Sequence, residues 1–284
     1  MKKLLSFLLL SVLVLVLAAC GTGQDEDTDT SKDEGTKEEK TVLKVGASHT
    51  PHAVILEEAK KLLAEEGIEL KIETYQDYVL PNEDLNNGDI DANYFQHVPF
   101  FEQKVEEEGY DLVNAGEIHV EPIGIFSKKY NSIDELPDGA TILISNSITD
   151  QGRILTLLEA NGLIKLEEGI DKKAATLDNI VENPKNLNIE ASDAPEMMVT
   201  YYQNEEGDAV VINSNFAIDA GLKPKEEAIL MESDDSDYPN IIAVRAEDKD
   251  NEAIKKLVEV LRSEEIQNFI LEEWDGNVIP VTNE

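Results

Sequence analysis

Cysteine is almost absent: Cys20 is the only one in 284 residues, so an internal disulfide is excluded. Bases are scarce too, 24 lysines and arginines against 60 acidic residues. The resulting charge of -36 argues against a surface built to hold nucleic acid or free anions. So acidic a surface keeps a protein dissolved, as in salty or alkaline surroundings. The sequence also lacks a Gly-x-Ser-x-Gly elbow, a Walker loop and a dinucleotide fingerprint. No catalytic residue and no cofactor is therefore assigned, and a role other than enzyme is expected. No repeat or coiled coil is present, and the only membrane-like apolar run lies at the start.

That run, Leu4 to Leu17, follows Lys2 and Lys3 and ends in Leu17-Ala18-Ala19-Cys20. It is short for a membrane span and reads as a secretory leader over residues 1–19. The position of the lone thiol points to lipid attachment at Cys20, since the four residues resemble the lipobox of bacterial lipoproteins. Residues 20–40 are Gly, Thr, Ser, Asp, Glu and Lys with one Gln beyond the cysteine, too polar to offset the entropy of ordering. They form a tether on the order of 25 Å long. The folded part is then expected at the cell membrane, held by lipid and facing outside the cytoplasm.

The remaining 240 or so residues alternate strand and helix signals. Strands are predicted at Thr41 to Ser48, Ile68 to Tyr75, Thr141 to Ser145, Ala209 to Asn213 and Asn240 to Arg245. Helices are predicted from Pro51, from Val98 to Gly109, from Thr149 to Asn161, from Ala194 to Tyr202, and as one long amphipathic stretch from Glu252 to Trp274. Asn82 to Leu85 reads as a single helical turn. Successive βα units imply a parallel sheet with helical cover. Pro122 interrupts an extended run, which marks a passage between lobes. The α/β fold expected is two lobes, residues 41–121 plus 240–284 and residues 122–239, joined by two crossings with a cleft between them. Tyr94, Phe95, Gln96 and His97 sit at the carboxyl end of a strand, where open α/β sheets hold ligands.

Several motifs occur in order: Asp77-Tyr78-Val79-Leu80-Pro81-Asn82-Glu83, Gly88 to Asn93 with Phe95-Gln96-His97, Glu121-Pro122-Ile123-Gly124, Gly152-Arg153, Asn183-Pro184 and Val211-Ile212-Asn213. Together, over residues 42 to 280, they resemble the NlpA-type lipoproteins, methionine-binding components of methionine ABC importers. The resemblance implies a periplasmic-binding-protein-like fold of type II that closes on methionine and delivers it to a permease and its ATPase. It carries ligand contact to Tyr78, Phe95 and His97 in the first lobe, Arg153 and Asn213 in the second, and Asn240 at the return crossing. Asp150 departs from the pattern, standing where many relatives have Asn. A monomer is expected.

The chemistry of these residues agrees. Arg153, placed in the first turn of its helix, can hold a carboxylate together with the N–H groups of the helix end, or face solvent. The amides of Asn213 and Asn240 can serve both an ammonium and a carboxylate, or be turn and edge residues. Tyr78, Phe95 and His97 can surround a thioether or pack as core. Glu121 can balance an ammonium or cap the crossing. Competing roles are the capture of another small amino acid or related zwitterion, a surface adhesin with an exposed apolar patch, and a zinc protein using His49 and His52 with His97 or His119.

Overall fold

Leu43, Val45 and Ala47 are buried along Thr41–Ser48, which makes that segment, β1, the inner strand of a sheet. The computed structural model describes residues 40–281; the expected leader, Cys20 and all of the tether but Lys40 lie outside the described residues. An irregular turn over His49–Ala53 leads into α1 (Val54–Glu65), which buries Ile55, Leu56, Ala59 and Leu63 and stops at the left-handed Gly67. Next come β2 (Ile68–Tyr75), α2 (Leu80–Asn87), β3 (Ala92–His97), α3 (Val98–Glu108) and β4 (Leu112–Val120). The single turn expected at Asn82 is thus two turns of helix, opened by Pro81 and closed by left-handed Gly88.

The chain then crosses at Glu121–Pro122–Ile123 into a second sheet. This part of the chain runs through β5 (Gly124–Phe126), β6 (Thr141–Ser145), α4 (Ile148–Ala160), the separate small pair β7 (Lys165–Leu166) and β8 (Ile180–Glu182), β9 (Asn188–Asp193), α5 (Met198–Gln203), β10 (Ala209–Ile212), α6 (Ser214–Asp219), α7 (Pro224–Glu227) and β11 (Ala228–Met231). After a second crossing, β12 (Pro239–Arg245) returns to the first sheet, followed by α8 (Glu252–Leu261), α9 (Glu264–Glu273) and β13 (Ile279–Pro280). The first sheet has the order β13-β4-β12-β3-β1-β2 and the second β11-β5-β10-β6-β9.

In the first sheet the parallel arrangement expected from the βα units holds only for β2, β1 and β3. β12 runs antiparallel to both β3 and β4, because a strand returning from the other sheet enters from the opposite end. Each sheet is therefore mixed, with β5 antiparallel beside parallel β10, β6 and β9. The long C-terminal helix is also corrected: Ser263 breaks it and caps α9, its hydroxyl accepting from the Ile266 N–H at 3.4 Å. One core packs α1, α8 and α9 on the first sheet, and a second lies around Ile142, Ile144, Leu155 and Leu158. β2, at the rim of its sheet, turns Glu69, Lys71 and Glu73 outward, with Lys71 3.8 Å from Glu69 and Lys44 of β1 3.1 Å from Glu73. Among the described residues no helix is long and apolar enough to cross a membrane.

Candidate functional site

All six residues of β3 are buried, and the strand ends by handing its last side chain to the next helix. His97 Nδ1 accepts from the Phe100 N–H at 3.2 Å, so the neutral ring carries its proton on Nε2, 3.7 Å from Asp150 across the cleft. Burial lowers the His97 pKa, and the neighbouring Asp150 carboxylate opposes it. Burial pushes the Asp150 carboxyl up, but the adjacent His97 ring, the charge of Arg153 and the hydrogen bond from Ser145 hold it below the usual carboxylate range. Behind this strand end, Asn82, Asn93 and Gln96 form a closed amide network with bonds of 2.8 to 2.9 Å that fastens α2 to β3. Just before α2, the Tyr78 hydroxyl donates to Asn215 Oδ1 at 2.7 Å and its ring stacks on Phe216, 5.1 Å away in α6. Phe95 and Phe100 each lie 5.9 Å from the Tyr78 ring.

Glu121, on the first crossing, is the centre of a second buried network. Its Oε1 accepts from His119 Nε2 at 2.8 Å and lies 3.2 Å from His52 Nε2. His119 Nδ1 is bonded in turn to the Tyr94 hydroxyl, and His52 Nε2 also reaches Asn240 Oδ1 at 3.1 Å. Burial lowers His52 to about 4 and His119 to about 3, and raises the Glu121 carboxyl. His52, His119 and Glu121 are the described group whose spacing would suit a metal ion. His52 Nδ1, however, is buried without a partner, whereas a ligating histidine needs an acceptor for its other N–H. The zinc grouping considered from sequence is corrected: His49 is exposed and paired with Asp219 at 2.6 Å, and His97 faces Asp150.

Arg153 is buried rather than facing solvent, and it is the sixth residue of α4, in the second turn instead of the first. The first turn holds Asp150, itself a buried carboxylate that accepts from Ser145 Oγ at 3.0 Å and Asn213 Nδ2 at 3.3 Å. Arg153 Nε donates to both Glu232 oxygens at 3.0 and 3.1 Å, Nη2 donates to the same carboxylate and to Glu121 O at 2.8 Å, and the Tyr238 ring lies 4.4 Å from the guanidinium carbon. The preceding Gly152 has a steric reason. A Cβ there would stand 2.4 Å from Lys173 O and 2.6 Å from Lys172 O, backbone atoms of a turn packed on α4. Gly152→Ala is expected to destabilise the protein by about 1–3 kcal/mol in urea unfolding, because the turn must move away from Arg153.

Tyr78, Phe95, His97, Glu121, Arg153, Asn213 and Asn240, the seven residues named from sequence, all line one cavity of about 430 Å³ counting its mouth. Gln96, Phe100, Asp150, Ser214 and Asn215 complete the wall. Asn215 was legible only as the continuation of Asn213, and Phe100 only as the residue that the His97 cap brings back. Aromatic walls with a few convergent polar groups are the lining that a small-molecule site needs. Two sheets joined by two crossings, with such a cavity reached from both, define a two-lobed binding protein of type II.

The chain belongs to the NlpA lipoprotein family, whose model matches residues 43–282. It is 48% identical over 252 residues to the methionine-binding lipoprotein MetQ of Bacillus subtilis (strain 168), covering 88% of this chain and 92% of that one. The crystal structure of a pheromone cOB1 precursor/lipoprotein of the YaeC family from Enterococcus faecalis V583 matches with a TM-score of 0.82 and 58% identity, covering 85% of this chain and 100% of that one. A nutrient binding protein from Burkholderia cenocepacia, solved bound to methionine, matches with a TM-score of 0.80 and 39% identity, covering 84% of this chain and 100% of that one.

Proposed function

We propose that the chain is the lipid-tethered binding component of an ABC importer and that it captures methionine between two lobes, residues 41–121 plus 240–284 and residues 122–239. The observation that carries this reading is the convergence of Tyr78, Phe95 and His97 from one side and Arg153 and Asn213 from the other on a single cavity, with Glu121 and Asn240 at the crossings. The names of the relatives support methionine as the ligand. Arg153 holds the ligand's carboxylate, Glu121 and the amides of Asn213 and Asn240 take the ammonium, and the Tyr78, Phe95 and Phe100 rings surround the thioether.

Only the closed form makes all these contacts, so methionine shifts the population toward closure, the form a permease with its ATPase accepts. Cys20 carries the lipid, and the monomer hangs outside the cytoplasm. The test is isothermal titration of the chain beginning after Cys20, unfolded and refolded to strip ligand carried from the cell. One-to-one binding of L-methionine is expected, with D-methionine and norleucine defining enantiomer and sulfur preference. Heat from another amino acid and none from methionine would overturn the ligand and leave the fold untouched.

A further inference from the structure

The one cation of the cavity wall already has an anion of its own, and that anion stands outside the cavity. Glu232 grips Arg153 through Nε and Nη2, yet it borders an outer groove with Lys172, Ser236 and Tyr238 and takes no part in the cavity lining. The first crossing fixes its place: the Glu232 N–H donates to Ile123 O at 3.0 Å, and Glu232 Oε2 accepts from the Ile123 N–H at 3.3 Å. Three further contacts hold the guanidinium without Glu232: the 2.8 Å bond to Glu121 O, a 3.4 Å bond to Ser236 Oγ and the Tyr238 ring.

We propose that Glu232 is an affinity-limiting counter-anion: a ligand carboxylate must share Arg153 with it, and repulsion between the two carboxylates keeps binding weaker than the other contacts would make it. This inference rests on the reading of Arg153 as the carboxylate partner. Removing the charge of Glu232 has two opposed effects. Arg153 loses one restraint, which weakens binding, and the ligand loses a like-charged neighbour, which strengthens it. Charges a few ångströms apart at a buried site interact by several times thermal energy. The lost restraint counts for less, because Glu121 O and the Tyr238 ring still aim the guanidinium. Repulsion decides the sign. A binding protein must also give up its ligand, and a carboxylate behind the arginine favours release.

Glu232→Gln keeps the shape and one acceptor while removing the charge, and Glu232→Met, similar in volume, is the second variant should the first fail to fold. Wild type and variant are titrated with L-methionine and with L-methioninamide, which keeps the ammonium and thioether but lacks the carboxylate. The dissociation constant for methionine is expected to fall about tenfold or more, with slower dissociation, while that for methioninamide stays put. The ligand-free melting temperature should drop, because Arg153 loses a buried partner, and the rise on adding methionine should grow. Weaker methionine binding in the variant, or equal changes for both ligands, would overturn the proposal by making Glu232 a positioning or purely structural group. A wild type that binds methioninamide as tightly as methionine would instead remove Arg153 as the carboxylate partner, and would overturn the underlying reading with it.

Discussion

Arg153→Ala is expected to weaken L-methionine binding by about 2–5 kcal/mol, a factor of roughly 30 to several thousand in the dissociation constant. The same change should cost about 3–5 kcal/mol of stability, because it leaves the mostly buried Glu232 carboxylate without its cation. The two losses have different sources and can be separated. In Arg153→Ala/Glu232→Gln the stranded charge is gone, so urea unfolding should recover most of the stability while titration shows affinity still lost. An affinity unchanged in Arg153→Ala would take the arginine out of the binding site. A double variant as unstable as the single one would mean that packing under Tyr238, rather than charge, holds this corner together.

Acid should unfold the protein well before its surface carboxylates are neutralised, and the histidines set the range. His52 and His119 are held to about 4 and about 3 in the folded protein, and His97 is lowered as well, whereas an unfolded chain takes these protons near pH 6.5. The unfolded state therefore binds more protons below pH 6.5. Stability is full above about pH 7 and falls as pH drops from 6.5 through 4, by up to about 1.4 kcal/mol per pH unit for each histidine. Glu121 works in the opposite sense: its raised carboxyl takes up a proton in the folded state first, which returns part of the loss. Asp150, held low, adds a further loss only below the ordinary carboxylate range. Urea unfolding at pH 7.5, 6 and 5 should show this slope, and His119→Gln should flatten it by about one proton. Equal stability at pH 7.5 and pH 5 would show that these imidazoles are not buried as described.

Much of this was legible because backbone rules act locally. Thr41 to Ser48, Ile68 to Tyr75 and Thr141 to Ser145 carry their periodicity in adjacent residues, and the structure keeps those limits. Pro122 marked the first crossing because a missing N–H cannot sit inside a ladder. Six of the seven cavity residues owed their grouping to family resemblance and Glu121 to its place at the crossing; residue type alone favoured core for Phe95 and left Arg153 divided between surface and site. The direction of β12 stayed hidden, since a strand's own residues do not encode which neighbour it will meet. The break at Ser263 stayed hidden, because amphipathic periodicity runs on without interruption on both sides of it. Glu232 had no sequence signal: it is 79 residues from Arg153 and lies in an acidic loop resembling many others in the chain. The link of His52 to Glu121 likewise joins distant segments, and only folding brings them together.

The rim strand β2 bears on how many copies can stand side by side. An open strand edge is a template to which another chain can add. On the proposed lipid tether, neighbouring copies would meet in two dimensions, where encounters between edges are frequent. Along β2 an approaching strand would meet Glu69, Lys71 and Glu73, ions of both signs already engaged with each other and with Lys44. Adding a strand would mean stripping water from those ions with no new partner to offer them. The alternation of glutamate and lysine on one eight-residue edge thus supports crowding without aggregation, a task for which uniform negative charge is less suited because salt screens it.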